Sequence, residues 1–412
     1  MYLEKAYYSS YKPSKIALFL LIAMTIVGVI ATYQTLTKGH IILNSTQHIP
    51  WGIWVAAYLF AISFSIGAYL VSALSYVFKI EAFKPIRHLS LIISLLGVVL
   101  AGFFIILDLG HPLRMMNIFL SFNPESPMAW MGILYGLFAL GLILQMAVSM
   151  DLPFLKYFGK KFNHIDRKEN REKFLKTLGV IGIIVTLLVL IGEGGIFAVA
   201  KARPGWFGGL FPILLIISGV ASGGGIITYF SGFIIKLNPE SKTKLLKNVL
   251  NVSVIALVTT YVMLFVEMAT KFYSGVAEEI YPWSQMLFGD YWYTFWILQI
   301  LVGLIFPLYA VLKPTFKNPI KVYKWAGFAI ALGLFCLRLN IVMPSQANET
   351  IVGLSEANTH WRFSLGYAPS LMEYLLILGG IAIFLWLLLL SVKFLPLNNV
   401  AVNSKNDSND SK

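Results

Sequence analysis

The chain has 412 residues, of which 58% are hydrophobic and only 12% are charged. Soluble proteins are about half apolar and about a quarter charged, so this composition excludes an ordinary soluble protein and indicates an integral membrane protein. The net charge of +13 raises the question of a nucleic-acid partner. Basic residues in so apolar a chain are more typical of loops that orient membrane spans, and we expect no nucleic acid to bind.

Ten apolar stretches are long enough to cross a bilayer as helices, for which about 20 residues are needed. They cover roughly residues 15–36, 51–78, 88–108, 127–149, 177–200, 208–235, 248–272, 291–312, 321–343 and 369–392. The sequence therefore predicts an all-α membrane protein with about ten transmembrane helices. The polar segment 151–176 is predicted to be a charged loop, and residues 396–412 a polar, disordered tail.

Basic residues divide unequally between the two sets of alternate loops. The side that carries both termini holds 25 of the 32 Lys and Arg residues, and the opposite side holds seven. Because cytoplasmic loops carry an excess of Lys and Arg, this division predicts that both termini are cytoplasmic. The opposite face is called the outer face below.

Five charged residues within or at the ends of the spans lie toward the outer face, namely Asp108, Glu193, Glu267, Arg338 and Glu373. Ionisable groups are costly in hydrocarbon and commonly mark a binding site, a pathway or a paired structural charge. Asp108 is open to two interpretations, an ion pair with Arg114 or a part in proton or ligand handling. His111 is similarly open to a helix-end hydrogen-bonding role. Glu193 has no basic neighbour within a helical turn, so burial favours its neutral form and suits it to proton transfer.

Histidine placement argues against haem. Haem between membrane helices is held by histidines at matching depths, whereas none of the six histidines lies in the middle of a span. The single cysteine, Cys336, excludes a cysteine-ligated iron–sulfur cluster carried by this chain alone. We therefore expect no haem and no iron–sulfur cluster here. If the protein handles electrons, it would pass them at one face, between a diffusible quinone and a cluster on a partner.

Several ordered motifs resemble one known family. PWGIWVAAYLFAISFSIGAYL is followed by DLGHPLR and SPMAWMG, and later by KARPGWFGG, RLNIVMPSQ and YAPSLMEYLLILGG. This series is similar to the NrfD or polysulfide reductase (PsrC-like) membrane subunits, and in its later part to their ten-span HybB/DsrP-type branch. The resemblance spans about residues 50–395.

The resemblance implies a haem-free subunit that exchanges electrons between the quinone pool, menaquinone-type or other, and an exported ferredoxin-like iron–sulfur protein. That protein would serve a catalytic subunit, a molybdopterin oxidoreductase or a nickel–iron hydrogenase. It also implies two four-helix bundles, here about 50–200 and 208–343, with 15–36 and 369–392 as flanking spans. A faint repeat, in which Pro50 precedes one span rich in small residues and Pro212 begins another, favours the same division.

We predict a quinone head group near the outer ends of the second to fifth spans, where polar and aromatic residues cluster. Its predicted contacts are Trp54, Tyr58, Asp108, His111, Arg114 and Trp130. Proton transfer is predicted for Glu193, Glu267, Gln299 and Tyr261, and structural or anionic anchoring for Arg338, Asn340 and Glu373. No continuous chain of acids crosses the inner half, so proton translocation stays open.

Two rival functions fit parts of the same sequence. Glycine-interrupted helices and intramembrane carboxylates also suit a secondary transporter or channel, although broken binding helices usually lie at the bilayer midplane. A passive membrane anchor for an exported enzyme would leave the acids with structural roles only.

Overall fold

The computed structural model describes residues 11–150, 152, 168–313, 315–347, 353–357 and 360–397. Within these ranges the chain is helical, without strands, and ten helices are long and apolar enough to cross a membrane, as predicted. The spanning helices are α1 (Lys15–Lys38), α2 (Ile53–Tyr76), α3 (Arg87–Asp108), α4 (Pro127–Met150), α5 (Lys168–Ala198), α6 (Leu210–Ile234), α7 (Pro239–Ser274), α8 (Thr294–Leu312), α9 (Pro319–Gln346) and α10 (Leu371–Phe394).

Two helices begin well before the apolar stretch that predicted them. α5 starts at Lys168, so the end of the predicted loop 151–176 is helical, and α7 starts at Pro239. The start of α7 is stabilised by Asn238, whose side chain accepts a hydrogen bond from the Ser241 amide at 2.9 Å. The free backbone amides at a helix start need hydrogen-bond partners, and these can be supplied by a polar side chain outside the hydrocarbon. A polar cap can therefore extend a helix beyond its apolar stretch. Residues 151, 153–167 and the tail from 398 lie outside the described ranges.

Two helical features were not predicted. A short helix, Ala277–Leu287, lies between α7 and α8 and buries Trp283 and Met286. The first part of α8, Thr294–Ile305, is wound as a π-helix, a geometry that occurs mostly as single-turn bulges, frequently at functional sites.

Helix packing gives the two four-helix groups of the predicted fold. α2 packs on α3 and α5, α4 packs on α3 and α5, and α6 and α9 contact each other and α7. The two groups meet where α2 packs on α6. The helices are closest at Gly67 of α2, where an added Cβ would lie 1.8 Å from the carbonyl oxygen of Gly219 in α6. The residue limits of each bundle, 50–200 and 208–343, stay predictions.

The remaining helices, α1 and α10, form a peripheral pair. They meet at Gly28, where an added Cβ would lie 2.3 Å from the Gly379 Cα, and α10 also packs on α3. Small residues thus let both the bundles and the peripheral pair approach closely, which is the common mode of helix association in lipid.

Candidate functional site

Two buried aromatic residues of α2 each bind an acid from another helix. Trp54 and Tyr58 are one helical turn apart, so they lie on the same face. The Trp54 indole Nε1 donates to Asp108 Oδ1 at 2.7 Å, at the last residue of α3. The Tyr58 hydroxyl donates to Glu193 Oε2 of α5 at 2.8 Å. The structure therefore brings together four of the predicted site residues around one face of α2.

A third helix contributes a hydroxyl that the sequence analysis missed. The Tyr135 hydroxyl of α4 donates to Glu193 Oε2 at 2.5 Å and lies 2.5 Å from the Tyr58 hydroxyl. Three oxygens thus lie within hydrogen-bond distance of one another in a buried site, in which Glu193 is 3% exposed. The available signal was a tyrosine hydroxyl inside the otherwise apolar span 127–149. The Tyr58–Tyr135–Glu193 group is called the hydroxyl–carboxyl cluster below.

Glycines beside Glu193 explain how three helices approach so closely. An added Cβ on Gly192 would lie 2.5 Å from Met131 Sδ of α4, and one on Gly194 would lie 2.4 Å from Pro212 Cα of α6. Side chains at these positions would push α5 away from both neighbours. The GEGG sequence therefore serves helix packing and places the carboxyl within reach of both tyrosines.

The other predicted quinone contacts lie on the exposed connection between α3 and α4 or in the first turn of α4. His111 and Arg114 are exposed, and no ion pair joins Arg114 to Asp108 among the described residues. Trp130 is half-exposed and donates from its indole nitrogen to the Pro124 carbonyl at 2.8 Å. Of the two interpretations of Asp108, the Arg114 ion pair is therefore wrong, because the partner of Asp108 is Trp54.

His40 is a further neighbour that the sequence analysis did not assign to the site. Its Nε2 lies 3.0 Å from the Leu107 carbonyl oxygen, and its ring lies 5.8 Å from the Trp54 ring. The connection after α1 is far from Asp108 in sequence, so only packing could reveal this contact.

A second polar group lies in the other bundle. Asn340 Nδ2 donates to Gln299 Oε1 at 2.8 Å, and Thr294 Oγ1 donates to Asn340 Oδ1 at 2.7 Å. The Tyr261 hydroxyl donates to the Gln299 carbonyl in the π-helix, at 2.9 Å. Glu267 does not join this group and lies 4.0 Å from Lys271 Nζ. Gln299, Tyr261 and Asn340 are thus in contact, while Glu267 sits apart.

Arg338 is fully buried where α2, α6 and α9 meet. Its Nη2 donates to Ser218 Oγ at 2.6 Å and to Ser63 Oγ at 3.2 Å, while Nε and Nη1 have no partner in the described residues. No carboxylate pairs with this guanidinium in the part of the chain described. A buried cation without a carboxylate is costly, so this position is electrostatically unusual for a membrane helix.

Glu373 ties the start of α10 to the outer loops. Its carboxylate accepts the Ser370 amide, as part of a capping box, and the Tyr367 hydroxyl at 2.7 Å. Burial and the adjacent Glu373 raise the pKa of Tyr367 above its ordinary value. Both groups are positioned to stabilise the fold, and Glu373 is completely buried.

Another outer loop is held by Arg203, which lies between α5 and α6. Its Nη1 donates to the Gln346 carbonyl at 2.6 Å and its Nη2 to the His48 carbonyl at 3.1 Å, and burial lowers its pKa. Gln346 in turn binds the backbone of Trp51, just before α2. The start of α2, and with it Trp54, is thereby fixed by loops from three parts of the chain.

Fold and site together define a multi-pass integral membrane protein whose first bundle holds a buried group of exchangeable protons at one end. Residues 42–349 match the family model described as polysulphide reductase, NrfD. The match covers most of the chain, which therefore belongs to the NrfD family of polysulphide reductase membrane subunits, as the sequence motifs predicted.

Curated relatives are membrane subunits of reductases. The chain is 28% identical over 399 residues to a selenate reductase subunit of Mesobacillus selenatarsenatis, covering 91% of this chain and 92% of the relative. It is 25% identical over 389 residues to the Hdr-like menaquinol oxidoreductase integral membrane subunit of Archaeoglobus fulgidus, covering 92% and 93%. A shorter match, 31% over 87 residues and 21% of each chain, is to the integral membrane subunit of a menaquinone reductase from Nitratidesulfovibrio vulgaris.

Proposed function

We propose that this chain is the haem-free, quinone-reactive membrane subunit of a respiratory oxidoreductase complex. It exchanges electrons and protons between the membrane quinone pool, of menaquinone type, and an exported iron–sulfur subunit that serves a separate catalytic subunit. The observation that carries the proposal is the hydroxyl–carboxyl cluster beside the Trp54–Asp108 pair. The names of two relatives, a menaquinol oxidoreductase subunit and a menaquinone reductase subunit, support the choice of substrate.

The cluster has the chemistry that quinone conversion requires. Reducing a quinone takes two electrons and two protons, so its oxygens need hydrogen-bond donors and a group that exchanges protons. The hydroxyls of Tyr58 and Tyr135 are such donors, and Glu193 accepts from both. In our proposal the tyrosines orient the quinone oxygen, Glu193 exchanges the proton and the buried Trp54 ring forms an apolar wall.

Placement of the site supports an exported partner. In our proposal both termini are cytoplasmic and the Asp108 end of α3 lies outside the cell membrane, because the loops at the opposite ends of the helices carry the excess of basic residues. His111 and Arg114 occupy the exposed connection after Asp108, and Trp130 lies in the first turn of α4. We propose that they contact the quinone at the mouth of the site or the docked iron–sulfur subunit.

For proton translocation, polar residues on the inner side of the first bundle suggest a route. The Tyr69 hydroxyl of α2 donates to Gln145 Oε1 of α4 at 3.0 Å and lies 3.3 Å from two α5 carbonyl oxygens. Gln145 Nε2 and Ser72 Oγ are buried without partners in the described residues. Tyr58, Tyr69 and Ser72 lie on one face of α2 by spacing. We propose that protons travel along this face toward Glu193, while the Tyr261–Gln299 route of the second bundle stays a prediction.

The test is quinol-linked turnover of the complex purified from membranes. We expect the chain to co-purify with a cluster-bearing subunit, and a quinone-site inhibitor to abolish electron transfer from a menaquinol analogue. If the chain purifies alone and moves a solute in vesicles, it is a transporter. A complex in which inhibitors and Glu193 variants leave menaquinol oxidation unchanged would make it a passive anchor.

A further inference from the structure

An apolar groove opens at the inner ends of α1, α6 and α10, far from the hydroxyl–carboxyl cluster. It has a volume of about 220 Å³. Its apolar floor includes Leu21, Phe230 and Leu388, and its mouth includes Tyr11, Tyr229 and Phe233. Here the peripheral pair, α1 and α10, stands away from α6, so the groove separates that pair from the second bundle.

Basic side chains lie at the mouth of the groove. The stem of Lys324 crosses α6 at Gly232, where an added Cβ would be 2.9 Å from its Cγ and Cδ, and its Nζ lies 3.7 Å from the centre of the Phe233 ring. Lys242, near the start of α7, is a neighbour of Lys324. Neither lysine pairs with a carboxylate among the described residues. The mouth therefore carries two ammonium groups that no ion pair neutralises among the described residues.

Hydroxyl groups add hydrogen-bond donors to the same mouth. Tyr11 and Tyr229 both line the groove and pack against Phe233, with ring centres 6.3 Å and 5.2 Å from that of Phe233. Two ammonium groups and two phenols form a donor set suited to a phosphodiester. A quinone ring is neutral and would not require a cation at this mouth. A soluble protein would not reach a groove that faces lipid chains.

The groove lies at the level of the membrane where a phospholipid places its head group. The donors lie near the ends of α6 at Ile234 and of α10 at Phe394, where helices leave the hydrocarbon, and the apolar floor extends inward along both. Lysines at this level extend their ammonium groups to the head-group region while their stems cover apolar surface. We propose that the groove binds one anionic phospholipid, with an acyl chain along Leu21 and Leu388 and its phosphate at Lys324 and Lys242. The lipid fills the space between the peripheral pair and α6 and stabilises their packing.

The test is lipid retention by the full-length chain, measured by native mass spectrometry after adding dioleoyl phosphatidylglycerol or dioleoyl phosphatidylcholine. We expect phosphatidylglycerol to be retained preferentially and to raise the thermal unfolding temperature. Since each basic residue near anionic lipid is worth about fivefold in affinity, Lys242→Gln with Lys324→Gln should weaken phosphatidylglycerol binding about thirtyfold.

The matched control is Lys244→Gln with Lys317→Gln, which removes two exposed charges from the same end of the protein and should change binding less than about twofold. A separate variant, Ala17→Trp, fills the groove without changing charge and should also abolish retention. Equal retention of the two lipids, equal loss in both double variants, or full retention by Ala17→Trp would each overturn the proposal.

Discussion

Glu193→Gln tests the site with the least structural disturbance. The amide oxygen of glutamine can accept the hydroxyls of Tyr58 and Tyr135 that Glu193 now accepts at 2.8 Å and 2.5 Å. Packing should survive because the two side chains have nearly the same volume. What disappears is the exchangeable proton. Loss of a general acid or base costs about 10²- to 10⁴-fold in rate, equivalent to about 3–5 kcal/mol of barrier.

The assay is menaquinol-analogue oxidation by the assembled complex, normalised to its content of catalytic subunit. Glu125→Gln is the matched control, because Glu125 is an exposed acid on the same outer side, in the connection between α3 and α4, and we expect its turnover to stay within about twofold of wild type. Wild-type turnover in an assembled Glu193→Gln complex would refute a proton-exchanging role for this carboxyl.

Four further outcomes follow from the structure. Tyr135→Phe removes one hydrogen bond to a carboxyl, so turnover should fall about tenfold or more in the same assay, and an unchanged rate would exclude Tyr135 from the site. Arg338→Met removes a buried, unpaired charge and should raise stability by about 1–4 kcal/mol in thermal unfolding, whereas a lower unfolding temperature would contradict that reasoning. Gly67→Leu places side-chain atoms on the Gly219 carbonyl and should abolish stable accumulation in membranes, measured by immunoblot. The raised pKa of Tyr367 gives stability that is present below about pH 10 and is lost as pH rises through the folded-state pKa, so Tyr367→Phe should flatten the alkaline loss of stability.

Span count was predictable because it depends on a local quantity, the length of apolar sequence. All ten helices occur where ten apolar stretches were found, and the family match agrees with the ordered motifs. Helix ends were predicted less well. Asn238 shows why, since a polar cap and not the edge of the hydrocarbon sets where α7 begins.

The candidate site was predicted in part. Trp54, Tyr58, Asp108 and Glu193 were chosen for their type and depth, and the structure joins them in pairs through hydrogen bonds. Depth along a helix can be counted from sequence, but rotation about the helix axis depends on packing. Tyr135 was missed for this reason, and the ion pair with Arg114, one of two interpretations left open for Asp108, does not form among the described residues.

The sequence by itself determined the class of protein, its ten spans, the side that carries the basic loops and the family to which it belongs. These follow from composition, from the length of apolar runs and from motifs in order along the chain. Only the tertiary structure decided which polar groups meet. The contact of Glu193 with two tyrosines, the isolation of Arg338 and the separation of Glu267 from Gln299 each depend on which helix faces are opposed. Glycines such as Gly67 and Gly194 set those faces through close contacts with residues distant in sequence.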